Sequence, residues 1–306
     1  MKRSLTKTGT SLVTTMPSVW TQKYGLGKGD EVDMTIDGNR LIITAEKMAA
    51  PEAEKVTIEQ EYCAPYEERV LGKFYAAGYN LVELKISDPT RTEYIKTIVA
   101  SHELGFEPLE ETNTKILFTS IISEREDQYL VFERKVFLTA LETAELTLQA
   151  LTENNTAKYE EAKKIETTNT KYCAYCERYL NKKGLKNHAF TYVIIWALEK
   201  IADEYKYLCE YVVPNKVIAS KATIEYCKEV NTFFRQLYMI YYKFDMKTYA
   251  TLAVGKSETL KKGYKLLNTV PQKETPIIMH LMNVVRLGND CLTSNIGRYV
   301  KEIAGK

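Results

Sequence analysis

The first 28 residues contain no aspartate or glutamate, although the whole chain carries 40 acidic residues against 42 lysines and arginines. Lys2, Arg3, Lys7, Lys23 and Lys28 are the only formal charges there, so a local +5 opens a chain whose net charge is just +2. Whole-chain charge therefore does not force a nucleic-acid partner, and the one clear electrostatic asymmetry lies in this arm. A run of about 18 apolar residues is also missing, so no transmembrane helix and no membrane insertion are expected. Lys2-Arg3 is followed by Ser, Leu and Thr rather than a long apolar core, so a signal peptide is not expected either. Histidine occurs three times, at His102, His188 and His280, and none has a serine or cysteine with an aspartate at catalytic spacing. Gly255-Lys-Ser257 lacks the upstream glycine of a phosphate loop, and no dinucleotide fingerprint is present. Cys173-Ala-Tyr-Cys176 has no second such pair and no close histidine pair to complete a zinc site, and it falls inside a helical stretch. These absences argue against an enzyme. Six scattered cysteines without a secretory signal read as reduced thiols and a cytoplasmic protein.

What is present divides into three units. Hydrophobic residues make up 45% of 306 residues, enough for two or three packed domains. In residues 1–47, Ser11-Leu-Val-Thr-Thr15 reads as a strand between Gly9 and Pro17. A short helix follows from Ser18 to Tyr24, stopped by Gly25 and Gly27. Glu31–Ile36 and Arg40–Thr44 flank Asp37-Gly38-Asn39, a hairpin signal. About 45 residues with four short strands bury too little apolar surface to be stable alone, so dimerisation or support from the rest of the chain is expected. Residues 48–123 hold a linker at 48–54 and a small α/β element. It comprises helices at 67–77 and 90–104, ended by Gly78 and Gly105, and strands at 81–86 and 115–122. Residues 124–306 read as six helices at about 127–153, 156–183, 188–212, 215–243, 245–268 and 276–303. Breaks are expected at Gly184, Pro214-Asn215, Asp245 and Pro271–Pro276. Leu198-Glu-Lys-Ile-Ala-Asp203 aligns with Val285-Arg-Leu-Gly-Asn-Asp290 at an offset of 87 residues, which suggests a duplicated three-helix bundle. The fold class is thus α+β multidomain.

Two stretches resemble known families. Gly9-Thr-Ser-Leu-Val-Thr-Thr-Met-Pro17, Trp20 and Tyr24-Gly-Leu-Gly-Lys-Gly-Asp-Glu-Val32 resemble the AbrB/MazE/SpoVT swapped-hairpin domains. The helical part, through Leu198-Glu-Lys-Ile-Ala-Asp203, resembles PhoU, the phosphate-uptake regulator. With Ala76-Ala-Gly-Tyr-Asn80 and Gly105-Phe-Glu-Pro-Leu-Glu-Glu-Thr112 between them, nearly the whole chain is similar to archaeal AbrB–PhoU fusion proteins. The resemblance implies an N-terminal β-barrel-like dimer of interleaved hairpins, followed by a PhoU-like pair of three-helix bundles. It also implies a regulator of phosphate uptake acting on DNA, on a transporter's cytoplasmic ATPase, or on both.

Candidate residues follow. A dimer would double the arm's charge to about +10 across a two-fold axis, suited to a palindromic operator. Lys2, Arg3, Lys7, Thr8, Thr10 and Ser11 are the candidate DNA contacts; the alternative is a dimerisation module with a solvated basic edge. Glu199 and Asp203, at i and i+4, share a helix face and match the family's metal motif, with Asp290 its counterpart in the repeat. A divalent metal or iron at Glu199/Asp203 is the expectation, and a solvated acidic pair softened by Lys200 and Lys206 is the alternative. At the second motif Arg286 stands where the family has glutamate, so an Arg286–Asp290 salt bridge is expected there instead. Glu166-Thr-Thr-Asn-Thr-Lys171, with Arg178 beyond it, also departs from the family's acidic pattern.

Overall fold

The computed structural model describes residues 2–37, 39–45, 55–183 and 188–304. The linker expected at 48–54, the turn glycine Gly38 and the break at Gly184 lie outside the described residues. Contacts divide the chain into two compact units, 1–55 and 56–306.

The first unit consists of two hairpins and one short helix. Strands β1 (Thr6–Thr8) and β2 (Ser11–Val13) pair antiparallel around Gly9, whose φ of +63° suits glycine in so tight a turn. Pro17 precedes α1 (Ser18–Lys23), whose end is a Schellman turn. Leu26 N–H donates to Thr21 C=O, Gly25 N–H donates to Gln22 C=O, and Gly25 takes φ +60°. Strands β3 (Asp33–Asp37) and β4 (Arg40–Thr44) form the second hairpin, with Asp37 opposite Arg40. The two hairpins remain separate two-stranded sheets. The closed barrel expected of this segment is not formed by one chain, because no described strand joins the hairpins' edges.

The second unit begins with a four-stranded sheet, ordered β5-β6-β8-β7, with β5 at Lys55–Glu59, β6 at Leu81–Lys85, β7 at Phe106–Thr112 and β8 at Lys115–Ser120. Helices α2 (Glu67–Ala76) and α3 (Thr92–His102) bury Leu71, Tyr75, Ile95 and Val99 against Val82, Leu84, Phe106 and Phe118 of the sheet. Two of these strands, β5 and β7, went unforeseen. β7 reads Phe-Glu-Pro-Leu-Glu-Glu-Thr, and its Pro108 and three glutamates are tolerated because it is the sheet's outer strand, where the register shifts at Pro108/Glu110.

One buried ion pair ties this sheet's connections together. The fully buried Glu67 carboxylate accepts from Arg91 Nε and Nη2, both at 2.8 Å, and from Gln60 Nε2 at 2.9 Å. Gln60 Oε1 in turn accepts from the N–H groups of Ser87 and Asp88. The Arg91 guanidinium holds the Glu67 carboxyl down at about 2 against the upward push of burial, helped by Gln60. Because the folded value lies below the unfolded one, near 4.5, this contribution is complete above that pH and is lost as the pH falls toward 2. Glu67→Gln should cost about 3 kcal/mol at pH 7, the low end for breaking a buried pair. Thermal unfolding of both proteins from pH 7 to pH 2 checks this: their difference should shrink steadily below pH 4.5, and a constant difference refutes the assignment.

Helices α4 (Glu126–Glu153), α5 (Thr156–Lys183), α6 (His188–Asn215), α7 (Lys221–Tyr242), α8 (Met246–Leu267), α9 (Thr275–Arg298) and the short α10 (Val300–Ala304) follow. Their ends carry local signals. Asn154 caps α4 in the left-handed region at φ +50°, and the Asp245 carboxylate accepts from the Thr248 N–H at the start of α8. Helix α6 runs through Pro214 to Asn215 before Lys216 turns at φ +48°, so it ends three residues later than its periodicity suggested. Helices α4, α5 and α6 pack together, as do α7, α8 and α9. The aligned repeats Leu198–Asp203 and Val285–Asp290 fall on α6 and α9, which lie against each other through one continuous core. Among the described residues, no helix is long and apolar enough to cross a membrane.

Candidate functional site

Helices α2 and α3 pack on α5, and α5 packs on α6, leaving a cleft of about 550 Å³ between the α/β element and the first three-helix set. The sheet core holds α2 and α3, while the helical core holds α5 and α6, so the walls come from two hydrophobic clusters. Helix α2 contributes Glu68, Arg69, Gly72 and Lys73; the end of α3 contributes His102 and Glu103; α5 contributes Cys173 and Glu177. Helix α6 contributes Trp196, Glu199, Lys200, Asp203, Lys206 and Tyr207.

Two of the predicted metal ligands, Glu199 and Asp203, do line this cleft, but their carboxylates are already engaged. Lys200 Nζ lies 3.1 Å from Glu199 Oε2 and 2.9 Å from Asp203 Oδ2. Lys206 Nζ lies 2.6 Å from Asp203 Oδ1 and 2.7 Å from Glu166 Oε1. Burial pushes the Asp203 carboxyl up, but the two ammonium groups more than offset it and hold the group below its ordinary value. Burial raises Glu166, only partly opposed by Lys206. The expected divalent metal or iron at Glu199/Asp203 is therefore corrected: ammonium groups occupy the positions a cation would take. No group of three or more His, Cys, Asp or Glu able to hold a metal exists among the described residues. Nor is Asp203 the solvated carboxylate of the alternative reading, since it is buried.

Asp290, the third predicted ligand, sits exposed on α9, away from the cleft's lining. The expected Arg286–Asp290 salt bridge is also absent. Arg286 Nη1 donates to Asn283 Oδ1 at 2.8 Å and Nη2 to Tyr264 OH at 3.1 Å, on the side of the neighbouring helix α8. His280, which has no catalytic neighbours in the sequence, has Nδ1 2.8 Å from Glu204 Oε2 of α6. All six cysteines are buried with free thiols, and burial pushes those of Cys173 and Cys176 well up.

The predicted DNA contacts Lys2, Arg3, Lys7, Thr8, Thr10 and Ser11 are all exposed, the first two ahead of the first hairpin and the other four within it. They do not share one face. Lys7 pairs with Leu12, which puts it on the face opposite the Thr8/Ser11 pair, while Thr10 lies in the turn. Arg3 Nη1 is 3.4 Å from Thr15 Oγ1, on the strand approach.

Sequence reasoning missed the residues that dominate the cleft, above all Glu103. It stands at the C-cap of α3, where the helix dipole disfavours an acid, and its carboxylate lies over Gly72 in the middle of α2. A Cβ at Gly72 would sit 2.4 Å from Glu103 Oε1. Both features break local helix rules, and together they were the available signal.

Compared with known proteins, the chain finds no counterpart: no protein-family model, curated protein or solved structure matches it.

Proposed function

We propose that this chain is a dimeric DNA-binding regulator, with the N-terminal hairpins forming the dimer and the DNA surface and the helical unit carrying the regulatory input. The observation that carries this reading is the state of the first unit. None of its described residues is buried, yet the β3–β4 hairpin gathers its apolar side chains mainly on one face, with Ile42 opposite Thr35 on the other. Met34 opposite Ile43 and Ile36 opposite Leu41 place four apolar side chains on one face, and Met34, Ile36 and Leu41 are 58%, 79% and 57% exposed. Such a two-stranded hairpin is marginal in water without a cover. A second copy offers the same face, and self-complementary packing about a two-fold axis closes both at once. The same unit carries five cations and no acid before Asp30, which suits it to a polyanion once doubled. The resemblance to AbrB–PhoU fusions supports this arrangement and is the ground for proposing phosphate uptake as the regulated process.

The test is a fluorescence-anisotropy titration of the purified protein against DNA from its own upstream region, at several salt concentrations. Lys2→Ala/Arg3→Ala/Lys7→Ala removes six cations per dimer, so the slope of log affinity against log salt should flatten by up to about 5. Affinity at low salt should fall by more than about a hundredfold. If wild type does not prefer its own DNA over scrambled DNA, the hairpins serve dimerisation alone and the helical unit acts on a protein partner.

A further inference from the structure

We infer that the cleft between α2–α3 and α5–α6 is a binding site for an aliphatic diamine or polyamine, its ammonium groups held by Glu103 and the carboxylates around it. Five carboxylates line this space: Glu68 on α2, Glu103 at the end of α3, Glu177 on α5, and Glu199 and Asp203 on α6. Lys73, Lys200 and Lys206 engage the last three, which leaves Glu68 and Glu103. Glu103 is only 7% exposed, and its Oε2 has no hydrogen-bond partner; a buried oxygen of Glu68 also lacks one. A buried carboxylate left without donors is costly, and a protein keeps one where a ligand supplies them. Gly72 makes the room for it at the expense of helix propensity, so the orphaned carboxylate belongs to the built structure of α2 and α3.

The cleft's own cations do not fill this need. Lys200 and Lys206 are committed to Glu199, Asp203 and Glu166. Lys73 reaches Glu177 at only 3.6 Å, from a side chain 73% exposed. The Arg69 guanidinium lies over the Tyr66 ring. An anion would meet carboxylates on every wall. A bare metal ion would find no convergent set of ligands among the described residues, and it would leave most of the volume unfilled. An ammonium group brings the N–H donors that Glu103 lacks, and a methylene chain can lie along Trp196, Tyr94 and Tyr207 at the cleft's edge. More than one ammonium group is called for because the unpartnered acceptors lie on two elements, Glu68 on α2 and Glu103 at the end of α3.

Binding should displace a proton. Burial raises the Glu103 carboxyl to about 8; Lys73 and Lys171 lower it, while Glu177 and Glu199 raise it. A cation arriving at the carboxylate favours its charged form, so protonated Glu103 ionises as the amine docks, and the proton leaves to buffer. Capture of the amine does not depend on DNA binding by the hairpins and is measured without DNA.

The experiment is isothermal titration calorimetry of the full chain with spermidine and with 1,4-diaminobutane at pH 7, in two buffers of different ionisation enthalpy. Butylamine and magnesium chloride at matched ionic strength serve as comparison probes. One site per chain is expected, tighter for spermidine than for butylamine or magnesium, with proton release to the buffer. Glu103→Gln keeps the shape and removes the charge. It should melt no lower than wild type, bind at least about tenfold more weakly and release no proton. Gly72→Ala, whose methyl group displaces the Glu103 carboxylate, should weaken binding in the same direction. Absence of saturable spermidine binding overturns the inference, as does binding that magnesium matches or that Glu103→Gln leaves unchanged.

Discussion

Arg178→Met should cost the second unit about 3–5 kcal/mol, the largest loss expected from any single substitution in this chain. The Arg178 side chain is fully buried on α5. Its Nη1 donates to the Tyr75 and Tyr79 carbonyls at 2.8 and 2.7 Å, its Nη2 to Asn80 Oδ1, and its Nε to Glu124 Oε1 at 2.6 Å. Its guanidinium also lies 4.8 Å from the centre of the Tyr75 ring. One residue thus satisfies the end of α2, the turn into β6 and the segment entering α4. Methionine fills similar space but leaves the Tyr75 carbonyl with only the Gly78 N–H, removes the Arg178 donor from the half-buried Tyr79 carbonyl, and leaves the Glu124 carboxylate to Lys182 alone. Arg178→Lys keeps the charge, yet one ammonium cannot reproduce a planar fork, so it should recover less than half of the loss. Chemical denaturation measures the cost. Limited proteolysis should show new cleavage in 58–123, the region this residue docks onto α5. A loss below about 1 kcal/mol, or an unchanged cleavage pattern, contradicts this role.

Arg178 also shows what a sequence conceals. An arginine inside a helix reads as a surface cation, and only the packing of α2 on α5 shows it buried among carbonyls. The helices themselves were legible because their signals are local. Helical periodicity and the break at Asp245 placed α4, α5 and α8 within a residue or so of their ends. The β3–β4 hairpin was legible for the same reason, since alternation and an Asp-Gly turn lie next to each other in the chain. Strand β7 was not, because its glutamates are tolerated only at a sheet's edge, a fact of topology.

The cleft was half legible. The i, i+4 spacing correctly put Glu199 and Asp203 on one face, but spacing has no access to where a lysine's ammonium group ends up. Lys206 bridges Asp203 to Glu166 on the neighbouring helix, and that bridge removes the vacancy a metal needs. Arg286 likewise turned to a partner on α8 rather than to the acid one turn away on its own helix. Glu103 could be suspected only by asking why an acid stands at a helix C-terminus and why a glycine stands mid-helix 31 residues before it.

Charging the apolar face of the second hairpin should abolish the proposed dimer. In Ile36→Asp/Leu41→Asp, two side chains that sit directly opposite each other across β3 and β4 become acids. Burying an isoleucine or leucine is worth about 1.5–3 kcal/mol, and a two-fold axis makes each substitution count twice. The dimer therefore loses roughly 6–12 kcal/mol, at least about ten-thousandfold in its dissociation constant, before any repulsion between the new carboxylates. Sedimentation equilibrium should show monomers at micromolar concentration, while far-ultraviolet circular dichroism keeps its helical signal, since the six long helices have a core of their own. DNA affinity should fall with the dimer even though Lys2, Arg3 and Lys7 remain, because half as many cations then meet the duplex at once. Thr35→Asp on the opposite face serves as the control: it adds the same kind of charge to the same hairpin, faces away from Ile36 and Leu41, and should leave the dimer intact. A double variant that remains dimeric would mean that the apolar face is not the contact, and the hairpin unit would then need another route to two copies. A variant that becomes monomeric yet holds DNA with the wild-type salt slope would separate the two halves of the proposal, keeping the basic arm on phosphates and removing the two-fold axis from recognition.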